Sequence, residues 1–293
     1  MSERKRVNVP KGATTAHRGP KPKLGQHFLA SQPAAHRIVD SLGDLSAATV
    51  LEIGPGRGAL TDILAAKARR LIAVELDRVL AAQLRMKFAT RPHVEIIEGD
   101  VLKIELDTIF GPKPGSARPG MNYVPEPALV VGNLPYYITS DILLRLFDYH
   151  RYFSTIVIMV QKEVADRLAA SPGSRDYGLL SATAQLYGSV EKLFTLPPGA
   201  FAPSPKVHSS VVRIVVDPRL ESLQVPEAGF ISFLKLSFGH KRKTLWNNLK
   251  AHYRQTTLQQ AMTHSGVKPS VRAEALSLDK TAALFRSLQD GKS

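Results

Sequence analysis

The 293-residue sequence contains no cysteine. This absence excludes disulfide bonds, thiolate-bound zinc, iron–sulfur clusters and a cysteine nucleophile. Long hydrophobic runs are also missing: Ile156 to Val160 is typical of the longest, whereas a membrane-spanning helix needs about 18 apolar residues. Residues 1–23 have no apolar segment of the kind found in a secretory signal. The sequence therefore favours a protein without a membrane span or cysteine chemistry.

The net charge of the chain is +14, and acidic residues are scarce at both ends. Residues 1–27 hold seven lysines and arginines against one acid, and residues 218–293 hold twelve against five. The residues between them are nearly balanced, with twenty against nineteen. A near-neutral body with two basic ends is typical of a protein that binds a polyanion by peripheral contacts. A solubilising surface with a flexible tail would show the same pattern.

Short apolar runs alternate with segments of helical periodicity through most of the chain. The runs are Val50–Ile53, Leu71–Val74, Val94–Ile97, Leu129–Val131, Thr155–Val160 and the later Val207–Val216. This alternation indicates βαβ units and a parallel sheet. After Asp217-Pro218 the pattern breaks, and from about Glu227 only helical periodicity remains.

We predict an α/β domain over residues 24–217 and a small all-helical domain over 218–293. A basic flexible tail is predicted at 1–23, and a proline- and glycine-rich insertion of unassigned function at 111–127.

A glycine-rich segment, 52–58, lies between a predicted strand and a predicted helix. Its glycines allow a ligand to approach the backbone, and the helix start offers free N–H groups. Glu75 ends the next strand and can accept the hydroxyls of a ribose, while Asp100 follows the third strand and can accept an adenine amino group. The spacing Gly54-x-Gly56-x-x-Ala59 also fits a dinucleotide fingerprint, so a nicotinamide dehydrogenase remains an alternative here. A tight turn with surface acids is the simplest alternative.

The segment from Asn133 to Tyr136, Asn-Leu-Pro-Tyr, separates these alternatives. The exocyclic nitrogen of adenine is a poor nucleophile, and a site can help by accepting both of its hydrogens. The Asn133 side-chain oxygen and the Leu134 carbonyl would do so, with Pro135 stiffening the backbone. Tyr136 offers a ring on which an extruded base can stack. A hydride-transfer site has no use for this segment, so it favours an amine methyltransferase.

The sequence closely resembles the bacterial small-subunit ribosomal RNA adenine dimethyltransferases of the KsgA/RsmA type, from about Lys23 to Phe285. The resemblance rests on ordered motifs: Gly25–Leu29, Glu52–Gly56, Glu75–Asp77, Gly99-Asp100, Gly132–Tyr136, Gln161–Val164, Phe201–Val207, Arg242–Leu245 and Arg272–Glu274. It implies a Rossmann-like class I S-adenosylmethionine-dependent methyltransferase fold with a helical C-terminal domain.

The resemblance also implies the activity and the site. Members dimethylate N6 of two adjacent adenosines in the 3′-terminal hairpin loop of 16S rRNA, within the immature 30S subunit. Carried over by motif, the residues that bind S-adenosylmethionine are His27, Leu29, Gly54, Glu75, Asp100 and Asn133, with His27 standing where many relatives have asparagine. We expect a cytoplasmic monomer that uses no metal.

Two further features are candidates for RNA binding. Phe201, in a proline-rich loop, either forms the second face of a clamp around the flipped base or anchors its loop to the core. Lys241, Arg242 and Lys243 are predicted to open a helix and contact phosphates, although a short basic run is often only a solvated surface.

Two alternatives to the assigned function stay open. A large-subunit rRNA methylase that confers antibiotic resistance shares the chemistry, but the motifs at 201–207 and 272–274 favour the small-subunit enzyme. A non-catalytic RNA-binding protein on the same fold is disfavoured because the cofactor positions are retained.

Overall fold

A computed structural model describes residues 27–112 and 126–290 of the chain. Within these ranges the strands are β1 (Phe28–Leu29), β2 (Thr49–Ile53), β3 (Arg70–Glu75), β4 (Val94–Glu98), β5 (Ala128–Asn133), β6 (Phe153–Gln161), β7 (Gly188–Leu196), β8 (Phe201–Ala202) and β9 (Ser209–Val216). Each of the six predicted strands is present, with ends shifted by at most a few residues. The predictions for the tail at 1–23 and for most of the 111–127 insertion fall on residues outside the described ranges.

The central sheet has seven strands in the order β4-β3-β2-β5-β6-β9-β7. The first five are parallel, as predicted from the alternating pattern. The last two, β9 and β7, join antiparallel. A separate two-stranded sheet pairs β1 with β8, at Phe28 with Ala202 and at Leu29 with Phe201. The strands β1, β7 and β8 were not predicted.

Helices cover the sheet and form the C-terminal region. They are α1 (Gln32–Asp40), α2 (Thr61–Lys67), α3 (Arg78–Lys87), α4 (Leu106–Phe110), α5 (Thr139–Asp148), α6 (Lys162–Leu168), α7 (Leu179–Tyr187), α8 (Leu220–Leu223), α9 (Glu227–Ser237), α10 (Leu245–Leu249), α11 (Gln255–His264) and α12 (Leu278–Asp290). Local sequence fixes several helix starts: the Asp77 carboxylate accepts from the N–H groups of Val79 and Leu80 at the start of α3.

Two hydrophobic clusters lie on opposite faces of the sheet. Leu51 and Ile53 of β2 point into the larger cluster, whereas Val50 of the same strand points into the smaller one. This follows from the two-residue period of a strand, which sends successive side chains to opposite faces. Because both faces are covered, the parallel strands are almost continuously apolar.

The C-terminal helices share the larger cluster with the sheet. Phe230 and Phe233 of α9 belong to the same buried cluster as Phe147 and Tyr187, whose rings stack with centroids 5.0 Å apart. The Tyr187 hydroxyl donates to the Glu227 carboxylate at 2.6 Å, and burial followed by that hydrogen bond raises the pKa of Tyr187. The predicted boundary between residues 217 and 218 falls between β9 and α8, with one continuous core across it.

In the described part of the chain, no helix is both long and apolar enough to cross a bilayer. The same residues contain no group of three or more histidine, aspartate or glutamate side chains arranged to hold a metal ion.

Candidate cofactor and base-binding site

The site lies where four neighbouring parallel strands end. Register pairs Glu75 of β3 with Glu98 of β4, and Ile53 of β2 with Gly132 of β5. The residues that follow or close these strands therefore meet at one edge of the sheet, which is where open α/β sheets bind ligands. An open cavity lies there.

Most of the predicted site residues line this cavity. They are His27, Leu29, Gly54, Glu75, Asp100, Asn133, Leu134, Pro135 and Tyr136. Their contacts with a cofactor or an RNA base stay predictions, but the structure brings all nine side by side.

The glycine loop lines the cavity in a backbone conformation that residues other than glycine rarely adopt. Gly54 and Gly56 have φ values of +67° and +59°. A Cβ on Gly56 would lie 2.8 Å from the Phe28 ring, so the loop packs directly beneath β1. The Gly54 N–H donates to the Val74 carbonyl at 2.9 Å, which holds the loop against β3.

Glu75 and Asp100 hold their predicted places at the ends of β3 and β4. The Glu75 carboxylate is buried and accepts from the N–H groups of Gly56 and Asp77, each at 2.9 Å. One Asp100 oxygen accepts from the Leu102 N–H at 3.0 Å. A carboxylate has about four acceptor positions, so both acids keep capacity for the hydroxyl and amino groups of a nucleoside.

Asn133 ends β5, and its amide is already oriented by the fold. Its Nδ2 donates to the His27 carbonyl at 2.8 Å, which leaves its Oδ1 without a partner among the described residues. The Leu134 N–H donates to the Met159 carbonyl at 3.1 Å, while the Leu134 carbonyl accepts no hydrogen bond in that part of the chain. Both residues line the cavity, and neither acceptor has a hydrogen-bond partner in the described part of the chain, so both are available to a ligand.

Tyr136 is a fixed wall of the cavity. Its hydroxyl is hydrogen-bonded to the Ser209 Oγ at 2.7 Å, and its ring stacks on His27 with centroids 5.9 Å apart. The His27 Nδ1–H donates to the Pro203 carbonyl at 2.8 Å. His27 therefore connects β1, the Asn133 amide, Tyr136 and the proline-rich loop.

The structure corrects the interpretation of Phe201 as a clamp. The residue is only 3% exposed, it belongs to the smaller hydrophobic cluster, and it is paired with Leu29 through β8 and β1. A buried ring offers no face to a base. The environment of Phe201 instead fits the alternative that it anchors its loop to the core. The Phe201 backbone, by contrast, helps to hold β1 over the cavity.

The three basic candidates lie away from the cavity lining, and they do not open a helix. Lys241, Arg242 and Lys243 form a turn between α9 and α10, because the capping Thr244 starts the helix only at Leu245. The Lys241 Nζ donates to the Arg175 carbonyl at 2.8 Å. Arg242 and Lys243 are exposed, and their side chains have no partner in the described ranges.

Glu52, near the end of β2, belongs to the Glu52–Gly56 motif but was not predicted as a site residue. It lines the cavity yet is 1% exposed. Burial raises its pKa to about 8, opposed by the nearby Thr61 hydroxyl and reinforced by the charges of Glu75 and Asp62. Neither Glu52 Oε2 nor Thr61 Oγ1 has a hydrogen-bond partner of good geometry among the described residues. Glu52 is therefore a neutral acid beneath the loop at pH 7.

Two more lining residues were missed by the sequence analysis. Arg57 stands at the tip of the glycine loop, and Tyr137 follows Tyr136 with 63% of its surface exposed. Arg57 lies within the glycine-rich segment 52–58 and Tyr137 directly follows the Gly132–Tyr136 motif, so adjacency to predicted site residues was the available signal.

Residues 18–290 match the model of the family described as "Ribosomal RNA adenine dimethylase". The chain belongs to this family. It is 57% identical to a Koribacter versatilis "Ribosomal RNA small subunit methyltransferase A", over 97% of this chain and 100% of that protein. It is 54% identical to the protein of the same name from Acidobacterium capsulatum, over 92% of each chain.

Solved structures agree with the fold. The "23S rRNA methyltransferase ErmE" superposes with a TM-score of 0.64 at 26% identity, covering 89% of this chain and 99% of that one. A dimethyladenosine transferase from Plasmodium falciparum superposes with a TM-score of 0.71, covering 91% and 98% of the two chains. Its 22% identity supports the fold alone. The predicted Rossmann-like methyltransferase fold is confirmed.

The family's cofactor, S-adenosylmethionine, fits the donor set at the sheet edge. Asp100, Glu75 and Gly54 follow β4, β3 and β2 in spatial order, which matches the sequence adenine, ribose and methionine along the cofactor. Both loop glycines line the cavity with positive φ, a conformation in which a side chain would be strained. The enzyme is thus an S-adenosylmethionine-dependent rRNA adenine dimethyltransferase.

Proposed function

We propose that this enzyme dimethylates N6 of two adjacent adenosines in the 3′-terminal hairpin loop of 16S rRNA, within the immature 30S subunit. The observation that carries the proposal is the pair of unoccupied acceptors, Asn133 Oδ1 and the Leu134 carbonyl, beside the wall formed by Tyr136. Bound S-adenosylmethionine supplies an electrophilic methyl group on its sulfonium.

Asn133 and Leu134 orient the target nitrogen. With both N6 hydrogens accepted, the nitrogen lone pair is turned out of conjugation with the ring and towards the methyl group. The Asn133 Nδ2 bond to the His27 carbonyl fixes the amide orientation before substrate arrives, so little reorganisation is needed. Residues such as Glu75 and Asp100 would hold the cofactor beside this nitrogen, and its methyl group would pass to N6 with the electrons of the broken methyl–sulfur bond staying on sulfur.

Tyr136 holds the RNA base. No side chain is required to act as a general base for the reaction. The anchored ring of Tyr136 gives a stacking surface of the kind worth about 1–3 kcal/mol per base. The nitrogen becomes strongly acidic once methylated and loses its proton to water. Before the second transfer, N6 carries one methyl group and one hydrogen. One of the two acceptors then lies beside the methyl group, and the other accepts the remaining hydrogen.

The similarity pattern favours the small ribosomal subunit over the large one. The relatives named small subunit methyltransferase A are 57% and 54% identical, against 26% for ErmE, a 23S rRNA enzyme. Methyl transfer to immature 30S particles, compared with 23S rRNA, distinguishes the two substrates. Cytoplasmic location is part of the proposal, because the proposed substrate is ribosomal. A single chain supplies every predicted site residue, so the proposal needs only a monomer.

Replacement of Asn133 tests the proposal. We expect Asn133→Ala to lower kcat on under-methylated 30S particles by about 100-fold or more, as when an oriented hydrogen-bonding group is removed from other active sites. Methylated adenosines are mapped, and affinity for the particle is measured in parallel and should change far less. Asn247→Ala, at an exposed position of α10, is the matched control. Equal losses of turnover and RNA affinity would contradict the assigned role.

A further inference from the structure

The order of the strands gives the direction in which the cofactor lies. Asp100 follows β4 at one side of the sheet edge, and Glu75 ends the adjacent β3. With the adenine and ribose held there, the amino acid portion extends towards the ends of β2 and β5. That portion carries an ammonium and a carboxylate, and the carboxylate requires a positive group or N–H donors.

Two carboxylates, one neutral acid and one arginine line the cavity. Glu75 and Asp100 are the carboxylates and Glu52 is the neutral acid, whereas Arg57 is the one lysine or arginine among the lining residues that the structure describes. Acids suit the hydroxyl, amino, ammonium and sulfonium groups of the cofactor, but they repel its carboxylate. Arg57 is the lining group whose charge complements that part of the molecule.

The position of Arg57 is fixed by the loop. The Gly58 N–H donates to the Pro55 carbonyl at 2.9 Å, which places Arg57 in a turn immediately after β2. Its guanidinium lies over the Phe28 ring, with Cζ 4.7 Å from the centroid. In the described ranges the Arg57 guanidinium has no acidic partner, whereas the Arg85 guanidinium is paired with Glu98. An arginine oriented by a ring keeps its hydrogen-bond donors for a ligand.

We infer that Arg57 is the carboxylate-binding residue of the cofactor site, held over Phe28 to bind the amino acid end of S-adenosylmethionine. This inference rests on the cofactor named in the proposed function. It adds a binding residue to the set carried over by motif, and it assigns a role in ligand binding to the Phe28–Arg57 contact.

Binding measurements on the purified protein test the inference. S-adenosylmethionine and its decarboxylated form differ only in the carboxylate, so calorimetric titration with both isolates that group. We expect Arg57→Ala to weaken binding of S-adenosylmethionine about fivefold to tenfold, while binding of the decarboxylated form changes by less than twofold. Arg57→Lys should restore part of the difference, and added salt should reduce it.

The control variant is Arg91→Ala. Arg91 is also an exposed arginine over a phenylalanine ring, with Cζ 5.8 Å from the Phe88 centroid, but it does not line the cavity. It should leave both affinities unchanged.

Three results would overturn the inference. Equal loss of both ligands in Arg57→Ala would mean that Arg57 only supports Phe28. An unchanged ratio of the two affinities together with weaker rRNA binding would make Arg57 a phosphate contact. If the wild-type protein bound neither compound, the proposed function would fail as well, which separates that failure from one confined to Arg57.

Discussion

At the scale of single residues, the cavity combines groups that the fold has already oriented with one whose charge state the fold has changed. Asn133 and Tyr136 are held by hydrogen bonds to His27 and Ser209. Glu52 differs, because it is buried without a compensating cation, and its raised pKa keeps it neutral. Such a group makes folding stability depend on pH.

We expect Glu52→Gln to remove a specific part of the pH dependence of unfolding. The pKa of Glu52 rises from about 4.5 to about 8 on folding, so between these values the folded protein keeps a proton that the unfolded chain releases. The free energy of unfolding of the wild-type protein therefore falls as pH rises through this window, by an amount on the order of 5 kcal/mol at most. Urea unfolding from pH 5 to 9 measures it.

The neutral glutamine lacks this penalty, so the variant gains on the wild type as pH rises from about 5, and the gap levels off above about pH 8. Glu163→Gln, at an exposed position, controls for loss of a surface charge. Parallel unfolding curves for wild type and Glu52→Gln across the whole range would show that Glu52 is ionised in the folded protein.

The residues predicted from sequence are those that local motifs place. Glu75, Asp100 and Asn133 follow apolar runs, and in parallel strands the residues that follow such runs meet at one edge. Phe201 could not be assigned in this way. Its burial depends on pairing with β1, more than 170 residues earlier in the chain, and two-residue strands have no periodicity to detect.

At the scale of elements, β1 closes over the glycine loop. It is held by pairing with β8, by the Asn133 bond to His27, and by packing of Phe28 on Gly56. The strand β7 was missed for a different reason. It is an edge strand, paired only with β9, and its exposed glutamate and lysine interrupt the apolar pattern.

Alanine at Gly56 tests whether this packing shapes the cofactor site. Gly56 and Gly43 both have positive φ, at +59° and +87°, so alanine at either should cost about 1–2 kcal/mol of stability. A Cβ at Gly43 meets nothing within 4 Å, whereas one at Gly56 meets the Phe28 ring. We therefore expect Gly56→Ala alone to weaken S-adenosylmethionine binding, about tenfold, as measured by calorimetry. Comparable affinities in the two variants would show that β1 moves without consequence for the ligand.

At the scale of the whole molecule, the cavity at the sheet edge and the basic turn at 241–243 are separate. The cavity lining is net acidic, while residues 218–293 carry a balance of seven positive charges. The C-terminal helices are joined to the sheet by a shared core that includes Phe230 and Tyr187. Because of this shared core, we expect phosphate contacts on the helical part to help position a base at the sheet edge. Charge counts predicted the basic region, but only the fold shows that Arg242 and Lys243 lie in a turn.

We expect the double variant Arg242→Gln/Lys243→Gln to weaken binding to under-methylated 30S particles without changing affinity for S-adenosylmethionine. Both side chains are exposed and have no acidic partner among the described residues, so they are available for phosphates. Each lost phosphate contact should reduce the slope of log affinity against log salt by about 0.7 to 0.9, or roughly 1.5 for the pair. Filter binding across a salt series measures that slope.

The control variant, Lys87→Gln/Arg91→Gln, removes the same charge from α3 and the turn after it. If both double variants lowered the slope equally, the net charge of the protein rather than the 241–243 turn would determine RNA binding. A lower slope confined to the Arg242/Lys243 variant, with kcat unchanged at saturating substrate, would identify the turn as a phosphate contact that positions the RNA but takes no part in methyl transfer.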